Sequence, residues 1–141
     1  HPPLLVDLKA WNDDDHVIAV FREKNYWGAV AKSNFTTLRY REPVYRSLRE
    51  LAMSYFDFYF NTLGQKTLRA YSRPLRLVRF DKRDWMETDE DLEYIGDAFQ
   101  NLVYFPLLDD EQAAALSPVA KGLLEAGLMG SNPAGLYVPE E

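Results

Sequence analysis

Three features of the sequence predict an α+β fold: a small antiparallel sheet of four strands, packed with helices. The first is His16-Val17-Ile18-Ala19-Val20-Phe21, a short β-branched apolar run. After a polar break it is answered by Tyr26-Trp27-Gly28-Ala29-Val30-Ala31, which is the pattern of a β-hairpin. The second is a helical spacing of apolar side chains over residues 45–61. The third is the order of the elements, strands first and helices after them, which segregates helix from sheet rather than alternating the two.

Each element has a local reason. Leu4-Leu5-Val6-Asp7-Leu8 reads as a strand that feeds the sheet, and residues 10–15, rich in Asn and Asp, as a turn-forming acidic connection. Arg22-Glu23-Lys24-Asn25 has no apolar periodicity, and Asn25 tolerates the left-handed backbone of a tight hairpin turn. Residues 35–45 read as irregular, because Pro43 biases Glu42 away from the helical region. The helix expected over 45–61 carries Leu48, Leu51, Ala52, Tyr55, Phe56, Tyr59 and Phe60 on one broad face, with Asn61 and Gly64 as its stop.

Residues 66–83 form a basic segment in which Pro74 forbids one continuous helix, and 75–80 read as the last strand. Thr88 caps a second expected helix, with Asp89, Glu90 and Asp91 in its first turn. A third helix is expected over 109–116. A short fourth one, capped by Ser117 and opened by Pro118, ends near Gly127. Residues 1–129 therefore read as a single domain and 130–141 as a flexible tail.

Composition bounds the function. A chain of 141 residues with 47% hydrophobic side chains is long enough for one real core. A formal charge of −6 argues against a general nucleic-acid or acidic-membrane binder. No apolar run is long enough for a membrane helix and no signal peptide is visible, so a cytoplasmic protein is expected. The sequence has no cysteine, which removes disulfides, thiolate metal sites and a cysteine nucleophile from these residues.

The candidate chemistry sits at one end of the hairpin. Antiparallel pairing lays the start of the first strand beside the end of the second, so His16 should lie near Lys32, Ser33 and Asn34. Imidazole titrates near neutrality and suits a general base; Asn34 is placed to orient it, as the third group does in nucleophile–base–orienter sets. The alternative is a hydrogen-bonded structural histidine and an amide that caps a turn. Trp27 is a candidate wall of a cleft, or a packing residue. Asp13-Asp14-Asp15 read as a solvated turn, since neighbouring side chains on an extended chain point to opposite faces and rarely converge on one ion. At most Asp15 or Asp7 is placed to tune the imidazole. The sequence carries no phosphate loop and no paired-histidine motif, and the reading requires neither cofactor nor metal.

The segment from His16 to Asn34 resembles the His-strand, turn, Trp-strand region of the transglutaminase-like and papain-like cysteine enzymes. The strings HPPLLVDLKAWNDDDHVIAVFRE, WGAVAKSNFTTLRYREPVYRSLRELAMSYF and KTLRAYSRPL look like an uncharacterised bacterial family related to transglutaminase-like proteins. The resemblance implies that His16 is the base, with Asn34 or Ser33 its orienter, and that Trp27 and Ser33 touch a peptide or small amide or ester substrate. It further implies the C-terminal part of a larger domain, because the family's nucleophilic cysteine begins a helix ahead of these strands. The expectation is therefore the His/Asn portion of a cysteine-type hydrolase or acyltransferase, not competent for cysteine chemistry by itself. The alternative is a non-catalytic binding or interaction domain of the same fold.

Overall fold

The computed structural model describes residues 4–76, 102–129 and 131–141. Among these, seven strands form one antiparallel sheet. They are β1 (Leu4–Ala10), β2 (His16–Glu23), β3 (Tyr26–Val30), β4 (Tyr40–Tyr45), β5 (Leu68–Ser72), β6 (Leu75–Arg76) and β7 (Tyr104–Pro106). The order is β4-β3-β2-β1-β5-β7, and β6 also pairs with β1. The sheet is thus larger than the four strands expected from the sequence. The described residues also form three short α-helices: α1 (Leu48–Met53), α2 (Asp110–Ala114) and α3 (Lys121–Leu128). Among the described residues no helix is long and apolar enough to cross a membrane.

The hairpin closes on a two-residue turn. Glu23 faces Tyr26, and Lys24 and Asn25 both have positive φ, 51° and 72°. That is the primed turn whose twist matches the flanking strands. It fixes a register in which Phe21 faces Gly28 and Ala19 faces Val30. At Gly28 the backbone of β4 comes so near that a Cβ would stand 2.7 Å from the Arg41 carbonyl and 2.9 Å from the Pro43 nitrogen. The pairing of β3 with β4 shifts at this point, between Trp27 and Ala29. The expected irregular stretch is therefore a strand over its second half. Pro43 is accommodated because β4 is the edge of the sheet, where a missing N–H leaves no ladder bond unmade.

The largest cluster of buried side chains lies on one face of the sheet. Val6, Leu8, Ile18, Val20, Ala29 and Leu68 pack there against Leu51, Ala52, Tyr55 and Tyr59. The long helix expected over 45–61 is broken in two. Ser47 caps α1 by accepting from the Glu50 N–H, and Arg46 N–H donates to the Glu50 carboxylate. Beyond Met53 the chain tightens into a 3₁₀ turn at Phe56–Phe58. Arg41 supplies the reason. Its guanidinium lies 4.0 Å from the Tyr55 ring centre and donates to the Ser54 carbonyl, while the Phe58 N–H turns to Tyr55 instead. The apolar periodicity is real, but Tyr59 and Phe60 reach the core from extended backbone.

α2 has the capping box of Asp109 and Gln112, within the stretch where a third helix was expected. α3 starts at Lys121, not at Pro118, because the Val119 N–H is drawn to the Gly64 carbonyl and Val119 is buried there. β5 and β7 were not anticipated. β6 falls where the last strand was expected, but residues 77–80 of that strand and the helix expected from Thr88 lie outside the described residues.

Gly28→Ala should lower the unfolding free energy by about 1–3 kcal/mol, because the new methyl meets the Phe21 ring and also β4 backbone, which cannot swing aside as a side chain can. Urea unfolding checks this, and an unchanged midpoint would show that β4 does not pack on β3 this closely.

Candidate functional site

The chain leaves β1 through a bulge at Lys9 and Ala10, then turns at Asn12, whose φ is 54°. Asn is among the few side chains that tolerate this backbone. The three aspartates that follow brace the turn, each in its own direction. Asp13 accepts from the Thr67 hydroxyl at 2.7 Å and Asp15 from the Ala10 N–H at 2.8 Å; the Asp14 carbonyl accepts from the Tyr59 hydroxyl at 2.5 Å. His16 then opens β2.

A cleft of about 230 Å³ lies at this end of the sheet. Its walls include Asp13 to His16, Lys32 to Phe35, Tyr59 to Thr62, and Gly135 to Tyr137. The hairpin register therefore brings His16, Lys32, Ser33 and Asn34 to one place. It does not join His16 to Asn34 by a hydrogen bond. The Asn34 carboxamide is engaged with Asn132, donating to its carbonyl at 3.2 Å and accepting from its N–H at 3.1 Å. The Ser33 hydroxyl accepts from the Phe35 N–H at 3.0 Å. Trp27 lies at the opposite end of the hairpin. It is half-buried against the core with the Arg22 guanidinium 5.2 Å from its ring, and it lines a separate depression with Leu4, Phe21 and Asn25.

The imidazole itself is sequestered. Nε2 of His16 is buried with no hydrogen-bond partner among the described residues. Burial holds its pKa below the ordinary value, and the Leu38 main-chain carbonyl opposes the shift. The neutral ring is thus the favoured form at pH 7. Asp7 does not act on it. Leu8 is the residue opposite His16, so the neighbouring Asp7 side chain points to the other face of the sheet. There Asp7 is buried, accepts from the Tyr104 hydroxyl at 2.7 Å, and has its pKa pushed up to about 6 by desolvation. Asp13 is raised to about 6 for the same reason.

Residues that the sequence reading passed over complete the site. By sequence alone Tyr59 belongs to the core, Asn12 to a turn, and Asn132 and Tyr137 to a tail. The Asn-Asp run and the Asn132-Pro133 dipeptide are turn signals, and nothing in their spacing reveals that they meet. Comparison with known proteins gives no match to a protein-family model and none to a curated protein sequence. The resemblance to transglutaminase-like enzymes rests on the quoted residues alone.

Asp7 holds its proton more tightly in the fold than in the unfolded chain. Its contribution to stability is complete below pH about 4 and is lost as pH rises through about 6. His16 works in the opposite sense, favouring the fold above the ordinary imidazole value and losing that contribution as pH falls. Asp7→Asn should therefore reduce the decline in unfolding free energy between pH 4 and 7 by about 1–3 kcal/mol. Urea unfolding across that range tests it, and an unaltered pH profile would remove Asp7 as its source.

Proposed function

We propose that this chain is a non-catalytic binding domain, and that the cleft beside His16 takes a small amide or a short peptide. The observation that carries this reading is the sequestered imidazole: a neutral ring whose Nε2 meets neither solvent nor a described partner is poorly placed to move protons. The surrounding groups suit recognition instead. Ser33, Asn34 and Thr62 are neutral polar groups suited to a neutral ligand, and Phe35, Tyr59 and Phe60 supply apolar and aromatic surface. A cleft of this size admits a ligand of a few heavy atoms or a short stretch of peptide.

The test uses N-acetylglycine methylamide as probe and isotope-labelled protein. Millimolar additions should shift the amide resonances of residues 32–38, 59–62 and 135–137 together and to saturation. His16→Ala should weaken binding about five- to tenfold, roughly 1–1.4 kcal/mol, without loss of fold. Absence of any saturable shift rejects the reading.

A second reading is favoured by one observation, the gathering of His16, Ser33 and Asn34 at a single cleft. In it these residues serve as the His/Asn portion of a cysteine hydrolase or acyltransferase, with a thiol supplied from outside residues 1–141. A longer natural chain carrying that cysteine should then react with iodoacetamide at neutral pH at least tenfold faster than its His16→Ala variant. Equal rates would dismiss it.

A further inference from the structure

Residues 135–137 line the cleft, and two asparagine side chains hold the segment 131–141 at Asn132 and Glu140, on either side of them in sequence. Asn34 pairs with both the N–H and the carbonyl of Asn132. Asn12 does the same to Glu140, donating to its carbonyl at 2.9 Å and accepting from its N–H at 2.8 Å. Such a pair of bonds is what a neighbouring strand offers one residue of its partner. Each carboxamide therefore reads main chain and is indifferent to the side chain it meets. Between the two anchor points the segment presents Gly135, Leu136 and Tyr137 to the cleft.

The clamp belongs to the domain, whereas the segment is lightly held. Asn12 is fixed from behind: its carbonyl accepts from the Asn61 side chain, and its amide also donates to Gln65. Asn61 in turn accepts from the N–H groups of Leu63 and Gln65. No residue of 131–141 is fully buried, and Val138 is 85% exposed. Few buried apolar contacts and exposed backbone bonds mark a segment that opens at low free energy.

We propose that Asn12, the His16 cleft and Asn34 form a recognition surface for an extended peptide of another protein, and that residues 131–141 occupy it in cis. This rests on reading the cleft as a binding site and names its ligand class. The clamp recognises two well-separated peptide units, and the cleft between them receives an apolar or aromatic side chain. The cis segment competes at an effective concentration in the millimolar range. A segment docked about nine-tenths of the time raises the apparent Kd of an incoming peptide about tenfold.

The experiment measures fluorescence anisotropy of a labelled synthetic peptide of sequence 131–141 against the full chain. The double variant Leu136→Asp, Tyr137→Asp should release the cis segment while leaving the clamp intact. It should bind the peptide at least tenfold more tightly than the unsubstituted chain, and adding Asn12→Ala and Asn34→Ala should abolish the gain. A folded double variant that binds no more tightly overturns the proposal. If that variant fails to fold, Val138→Cys provides the measurement, since the chain has no other cysteine. A nitroxide there should become mobile when excess peptide is added, and an unmoved spectrum overturns the proposal. Failure of the peptide with success of the small amide probe removes only the peptide surface; failure of both removes the cleft as a binding site.

Discussion

The sheet depends on β1 being buried on both faces. Leu5, Val6, Asp7 and Leu8 are each at most 5% exposed, and β1 pairs with β2 on one side and with β5 and β6 on the other. A strand in that position tolerates no slip, since moving by one residue would exchange the face of every side chain it carries. Its far end must then leave the sheet sharply, through the bulge at Lys9 and Ala10 and the left-handed turn at Asn12. That turn delivers His16 to the start of β2, and its carboxamide holds the Glu140 main chain. The candidate site is therefore a consequence of how the central strand ends.

The same burial explains the unusual carboxyls. Asp7 occupies a place where a strand of this kind ordinarily carries an aliphatic residue, and the Tyr104 hydroxyl is the partner that makes a polar group tolerable there. The bond also reaches across β5, tying β7 to the centre of the sheet. Asp13 and Thr67 make a comparable tie between the first turn and the segment leading into β5. Both contacts join parts of the chain far apart in sequence, so their value lies in fixing one arrangement as much as in stability.

Legibility in the sequence followed the range of the interactions. The hairpin was readable because a two-residue turn and two apolar runs determine its register locally. From that register alone the meeting of His16 with Ser33 and Asn34 followed. The close approach at Gly28 was legible as a glycine within a strand pattern, though not its partner. β4 was hidden by Pro43, a residue whose meaning changes at a sheet edge. The break in the helix over 45–61 was hidden because Arg41, distant in sequence, captures the Ser54 carbonyl. The occupant of Asn34 was not readable at all: carboxamide-to-backbone pairing imposes no side-chain pattern on the partner segment.

A catalytic orienter must commit its carbonyl to the imidazole, because the ring is useful only when one tautomer is held. Asn34 commits both ends of its carboxamide to a peptide unit, and Asn12, which has no role in such a constellation, does likewise. Two carboxamides with the same geometry, each engaged with a peptide unit, support the proposal that this end of the sheet handles main chain. On that proposal the half-buried His16 ring is a wall of the cleft rather than a reagent. A ring whose Nε2 is buried and whose neutral form is favoured at pH 7 can line a pocket for neutral peptide units.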